Sequence, residues 1–173
     1  IGFCGAPWTV ATYMVGGRSS ERLLAKVAAL QRAGWFVDLI DRLVEESVDY
    51  LCAQVDAGAQ VLQIFDSWAG DLVGEQRDEF VFGALERVVG GVRERFPSVP
   101  IILFARGVGA DQNRVSAMSG VSAIGVEAEF NLELIRPEVV VQGNLDPVAL
   151  LAGVDVAVRE AEKVCRVRGK RKH

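Results

Sequence analysis

Histidine is nearly absent: the chain has one, and it is the last residue, His173. Ser-His-Asp catalysis needs an internal imidazole to take the serine proton, so that mechanism is excluded for these residues. Cysteine is scarce too, with Cys4, Cys52 and Cys165 far apart and odd in number. Neither Cys-x-x-Cys nor His-x-Cys occurs, so no metal site is expected and the three thiols read as reduced core filling. No apolar run reaches the ~18 residues of a membrane span, and the basic flank and apolar stretch of a signal peptide are missing, so the expected location is cytoplasmic with no membrane partner. Positive charge is not in excess: 19 Lys and Arg against 23 Asp and Glu leave a net charge of −4, which argues against nucleic acid as a partner. Only the end, Arg166 to His173, is locally basic, and it reads as a solvated tail.

What the chain does have is apolar residues, half of its 173, enough to bury a sizeable core in one domain spanning 1–173. Runs able to form strands recur at 1–4, 61–65, 101–104, 123–126 and 139–141. The first of these begins at Ile1, so the chain is expected to be part of a longer protein. Between the runs the spacing is helical. Ser19-Ser20-Glu21 opens one helix with a serine N-cap. Residues 36–57 carry apolar side chains three and four apart and stop at Gly58; residues 75–96 continue to Pro97, weakened by Gly90-Gly91; a last helix starts after Asp146-Pro147 and runs to about 164.

Strand, helix, strand, helix without hairpin signals means an α/β protein with a parallel sheet of βαβ units. Five strands cannot close an eight-stranded barrel, so an open doubly wound sheet and a section of a (β/α)8 barrel both remain open. In either case the polar groups just after each strand lie where parallel sheets hold ligands. They are Thr9, Thr12 and Tyr13; Asp66 and Ser67; Arg106; Glu127 and Glu129; Asn144 and Asp146. Phe3, Trp8, Phe65 and Trp68 add flat apolar surface, which suits a large, flat ligand with polar edges. Plainer roles exist: helix caps for Asp66, Ser67 and Asp146, a turn for Asn144, a core site for Tyr13, packing for Trp8. Arg106-Gly-Val-Gly-Ala110 only partly matches a phosphate-binding loop, lacking the third glycine of a dinucleotide fingerprint and the Lys-Ser/Thr of a P-loop.

Three segments together are specific. Gly2-Phe-Cys-Gly-Ala-Pro-Trp-Thr9 with Ala11-Thr-Tyr-Met14 and Gly16-Gly17, then Gln63-Ile-Phe-Asp-Ser-Trp-Ala-Gly70, then Gln142-Gly-Asn-Leu-Asp-Pro147, resemble the uroporphyrinogen decarboxylase family in order and spacing. The resemblance implies a partial (β/α)8 TIM barrel, about strands 3–7 of 8, from an enzyme that is a homodimer when full length and uses no cofactor. Its substrate is a tetrapyrrole, uroporphyrinogen III, whose four acetate side chains lose CO2 to give coproporphyrinogen III in haem and porphyrin biosynthesis. A protonated pyrrole ring draws electrons from the breaking bond, so the substrate is its own electron sink.

Residue by residue, the resemblance makes Tyr13 and Ser67 hydrogen-bonding, substrate-binding groups, and Phe3 and Phe65 the apolar floor beneath the tetrapyrrole. The family's arginine-rich entry motif, its pyrrole-binding aspartate and its Gly-His-Gly histidine have no counterpart here, and His173 is not that histidine. No catalytic residue is therefore expected within the chain, and residues 1–173 alone are expected to be inactive, at most binding tetrapyrrole, and to aggregate through open strand edges. Gly125-Val-Glu-Ala128 stands where the family has Gly-Leu-Asp-Trp, so the role of Glu127 and the packing at Ala128 are not carried over. The related corrinoid-dependent methyltransferases share the fold but hold zinc through His-x-Cys, which this sequence lacks.

Overall fold

The computed structural model describes residues 1–17 and 22–169. Its elements run β1 (Gly2–Gly5), α1 (Pro7–Gly16), α2 (Leu23–Leu30), α3 (Gly34–Asp56), β2 (Leu62–Asp66), α4 (Gly74–Arg77), a π turn (Asp78–Gly83), α5 (Ala84–Arg95), β3 (Ile101–Ala105), α6 (Gln112–Ala117), β4 (Ala123–Gly125), β5 (Val141–Gln142), α7 (Val148–Leu151) and α8 (Val154–Gly169). The five strands form one parallel sheet in the order β1-β2-β3-β4-β5.

That order settles the alternative left open by the strand spacing. A doubly wound sheet reverses direction at a switch point, and this one never does, so its strands follow one another as they do around a barrel wall. Curvature agrees. Gln63 on β2 and Gln142 on β5 lie three strand spacings apart, about 14 Å in a flat sheet. Yet Gln63 Nε2 donates to Gln142 Oε1 at 2.6 Å, which requires the sheet to bend until side chains of its inner face converge.

The two faces of the sheet differ as their residues alternate. On the outer face Leu62, Ile64, Ile101, Leu103, Ala105 and Ile124 are fully buried beneath the helices. On the inner face Phe3 is exposed, and Phe65, Ile102 and Phe104 are half-buried. The core therefore lies between the sheet and α1, α3 and α5, with Trp8, Phe36 and Phe80 in a line of edge-to-face rings 6.1 and 5.6 Å apart. At the free side of β1, Phe3 N donates to Gln54 Oε1 at 2.8 Å and Gln54 Nε2 donates to the Phe3 carbonyl at 3.1 Å.

All five expected strands occur, with ends displaced by a residue or two. The helix expected over 36–57 is α3. The helix expected over 75–96 is a continuous helical path with a π turn inside it, and Gly91 explains how the glycine pair is accommodated. A Cβ on Gly91 would stand 2.8 Å from Val48 Cγ2, so the missing side chain lets α5 approach α3. The last helix is not continuous. Gly153 at φ 101° divides it into α7 and α8, because a left-handed residue cannot continue a right-handed helix.

Two elements were not anticipated, α1 and α6. The helix start at Ser19-Ser20-Glu21 and the last part of the basic tail lie outside the described residues. Cys4 and Cys52 are buried as expected, and burial pushes the Cys4 thiol up to about 12. Cys165 is exposed and corrects the expectation of a third core cysteine. Val164 packs against the core, and the next residue of α8 lies about 100° around the helix axis, away from it. Among the described helices none is long and apolar enough to cross a membrane.

Candidate active site

Parallel strands present all their carboxyl ends on one rim, and the polar residues singled out in the sequence are indeed there. They do not all face the same way. Strand alternation sends Phe65 inward and Asp66 outward, so Asp66 joins Leu62 and Ile64 beneath the helices. This corrects the expectation that Asp66 lines the cleft, and it is no helix cap.

What Asp66 meets is α1. Pro7 opens that helix at its first position, where the missing N–H costs nothing, and the helix turns Thr9 and Thr12 into the core. Thr9 Oγ1 donates to Asp66 Oδ1 at 2.6 Å, and also accepts from the Trp68 backbone N–H at 3.3 Å. Trp8 is fully buried, a packing residue as its plainer reading held, and its Nε1 donates to the Trp68 carbonyl at 2.9 Å. Asp66 Oδ2 has no hydrogen-bond partner among the described residues. Burial raises the Asp66 carboxyl to about 7, opposed by the Thr9 hydroxyl and the Trp68 N–H and assisted by the charge of Asp71.

Tyr13, one helical turn after Thr9, is not a core tyrosine: it is 45% exposed and meets the Trp68 ring edge-on at 6.2 Å between centroids. Arg22 lies over the same indole, 3.7 Å from its centroid, and pairs with Asp71 at 3.0 Å. Ser67 is half-buried between Asp66 and Trp68. The structure thus brings Tyr13 and Ser67 to one corner of the rim, around Trp68.

Inside the curve, Phe3, Phe65 and Phe104 make a row of edge-to-face rings at 6.1 and 6.0 Å. Phe104 was not singled out in the sequence, although its place two residues after Ile102 in an alternating strand marks it as inward-facing. It stands beside Phe65 in register, and Gly125 beside it has no side chain because a Cβ there would come within 3.0 Å of the ring. The result is an apolar floor three strands wide.

The rest of the rim is held by polar links between successive loops. Gly70 N donates to the Arg106 carbonyl at 2.9 Å, and a Cβ on Gly70 would lie 2.6 Å from the Gly107 carbonyl oxygen. Gly107 takes φ 75° and donates its N–H to Glu127 Oε1 at 3.1 Å. That amide is therefore committed to a carboxylate and is not offered to a phosphate. Arg77 pairs with Asp111 at 2.9 Å and donates to the Leu72 carbonyl at 2.6 Å. Asn144 donates through Nδ2 to the carbonyls of Glu127, Ala128 and Phe130 at 3.3, 3.1 and 2.8 Å, so it shapes its neighbouring loop more than its own turn. Asp146 Oδ1 accepts from Val148 N at 2.9 Å, as its helix-start reading requires. Arg106 and Glu129 are exposed. Beside this loop Ala128, Phe130, Leu132 and Val164 line a cavity of about 310 Å³.

The arrangement, an apolar floor of rings with a tyrosine and a serine at its edge, can hold a flat apolar ring system by its face and polar substituents by their tips. The family model described as uroporphyrinogen decarboxylase (URO-D) matches residues 1–173. Proteins named uroporphyrinogen decarboxylase are similar to the chain: that of Paracoccus denitrificans is 38% identical over 169 residues, 95% of this chain and 49% of its own. That of a Chelativorans species is 40% identical over 173 residues, 98% and 51%, and that of Agrobacterium fabrum 43% over 157, 88% and 46%. The chain spans about half the length of the curated relatives it matches. A family match that spans residues 1–173, on a singly wound parallel sheet with its polar residues at one rim, has one conclusion: the chain belongs to the uroporphyrinogen decarboxylase family.

Proposed function

We propose that the complete protein containing this chain decarboxylates the four acetate side chains of uroporphyrinogen III, giving coproporphyrinogen III in porphyrin biosynthesis. The observation that carries this reading is the row Phe3, Phe65, Phe104 with Tyr13 and Ser67 at its edge. The row is the apolar floor for one face of the tetrapyrrole, and Tyr13 and Ser67 hydrogen-bond its polar substituents. In each round a pyrrole carbon is protonated, the acetate C–C bond breaks, and its electron pair moves into the cationic ring as CO2 leaves. The side-chain carbon then takes a proton to become a methyl group, and the ring carbon gives up the proton it received, restoring the pyrrole. This chain's part is to orient the ring system and keep water from its face, which holds the scissile bond in line with the ring orbitals that receive the pair.

Residues 1–173 form one unit of a larger barrel in this reading, and the complete enzyme is a cytoplasmic homodimer. An apolar stripe on α2, Leu23, Val27 and Leu30, continued by Trp35, is exposed and supports a contact with a second copy.

The test is anaerobic incubation of the complete gene product with chemically reduced uroporphyrinogen III, followed by oxidation and chromatography. Porphyrins with progressively fewer carboxylates are expected; unchanged uroporphyrin with a folded enzyme would sink the reading.

A further inference from the structure

We propose that Asp66 is a positioning residue, whose hydrogen bond to Thr9 sets the placement of Ser67 relative to Tyr13 at the edge of the cleft. This rests on the reading above for the roles of Tyr13 and Ser67, and goes beyond it in naming the pair that locates them.

The pair is out of place as a stabilising device. Asp66 is fully buried on the sheet's helix-covered face, Thr9 is 6% exposed, and their neighbours on that face are aliphatic. An apolar pair of similar shape would fill the space without taking a carboxyl out of water, and buried polar pairs are commonly neutral or unfavourable next to such replacements. What an apolar pair would not supply is direction. A 2.6 Å oxygen–oxygen hydrogen bond fixes both distance and angle between α1 and the tip of β2.

The two residues are also the right two. Asp66 immediately precedes Ser67. Thr9 precedes Tyr13 by four residues, which places both on one side of α1. The residue on the other side of Ser67 is held by the same helix: Trp68 N–H donates to Thr9 Oγ1, and the Trp68 carbonyl accepts from Trp8 Nε1. Thr12 Oγ1 in turn donates to the Trp8 carbonyl at 2.8 Å, tying the clamp to the next turn. Ser67 is thus bracketed by two residues bonded to α1, and the helix that brackets it carries Tyr13.

The experiment uses the complete gene product with Thr9→Val, Asp66→Leu and Asp66→Asn, each also made in a Tyr13→Phe background. Asparagine keeps an oxygen acceptor for the Thr9 hydroxyl, so Asp66→Asn is expected to keep KM for uroporphyrinogen III within about twofold, whereas Thr9→Val and Asp66→Leu raise it about five- to tenfold with kcat little changed. In the Tyr13→Phe background that penalty disappears, because the group being positioned is gone. Hydrogen exchange of the 66–70 peptide gives a readout independent of turnover: Thr9→Val accelerates exchange at the Trp68 amide and leaves 62–65 unchanged. An unchanged KM in Thr9→Val, or a loss fully additive with Tyr13→Phe, overturns the proposal. If no variant or parent turns over substrate, the functional reading fails separately, and unaltered exchange at 66–70 then removes the clamp as well.

Discussion

Asp66→Asn gives the sharpest thermodynamic consequence of this architecture. The Asp66 carboxyl titrates at about 7 in the fold against an ordinary 3.8, because burial disfavours its charged form. A raised folded value means the contribution to stability is complete below the unfolded value and is lost as pH rises through the folded one. The swing is a gap of about three pH units at roughly 1.4 kcal/mol each, or about 4 kcal/mol in all. Most of it falls between pH 4 and pH 7; from pH 5 to pH 8 the parent loses about 2 to 3 kcal/mol at this site. Asparagine is neutral throughout and loses none. Whatever the absolute stability of the variant at pH 5, its stability relative to the parent should therefore rise by about 2 to 3 kcal/mol on going to pH 8. Urea unfolding of the complete gene product, followed by tryptophan fluorescence, measures this, with Trp8 and Trp68 both bonded at the site. A difference that stays constant across that range would refute the reasoning: Asp66 would then keep its ordinary titration and the buried carboxyl would be solvated.

Three further outcomes are expected in the complete gene product. Gly70→Ala drives a Cβ into the Gly107 carbonyl, a backbone group that no rotamer change can move aside, and should destabilise by about 2 kcal/mol in chemical unfolding; a neutral result would mean the two loops separate freely. Asn144→Ala removes one amide from three carbonyls and should cost about 2 kcal/mol, with faster exchange in residues 127–130; unaltered exchange there would show that the loop holds itself. Ala128→Trp places an indole in the cavity of about 310 Å³ beside Phe130 and Val164 and should stabilise by about 1 kcal/mol, seen as a raised Tm; a lowered Tm would mean that the space closes around the alanine.

The strands were legible because each is an apolar run long enough for a buried strand and short enough not to be a helix, and their parallel pairing followed from the helices between them. Barrel wall against open sheet was not legible from spacing. It depends on strand order and on curvature, and the contact that reports curvature, Gln63 with Gln142, joins residues 79 apart. Helix α1 was hidden because it is buried on most sides. Pro7, Trp8, Thr9, Ala11 and Thr12 leave no polar face for a period to show, and only the proline at its start marked it. At the rim, the positions of Tyr13, Ser67, Phe3 and Phe65 were readable from motifs, and Phe104 from alternation. The direction of Asp66 could also have been counted from Leu62 and Ile64. Its partner could not, since Thr9 reaches it from an unforeseen helix. The break at Gly153 went unread because Asp146-Pro147 begins a helix convincingly and one glycine does not by itself say which conformation it takes.

The side chain of Gln54 alters what the open margin of β1 means. With one amide it receives the Phe3 N–H and supplies an N–H to the Phe3 carbonyl, the same two bonds that an adjoining strand would make. A strand arriving there trades two bonds for two, so docking can proceed by substitution with no interval in which Phe3 is left bare. The same exchange offers a stray chain no gain in hydrogen bonding at that position. Gln54 behaves as a placeholder that a legitimate neighbour, bringing side chains to cover the Phe3 ring, can displace, and that a chain offering backbone alone cannot displace at a profit.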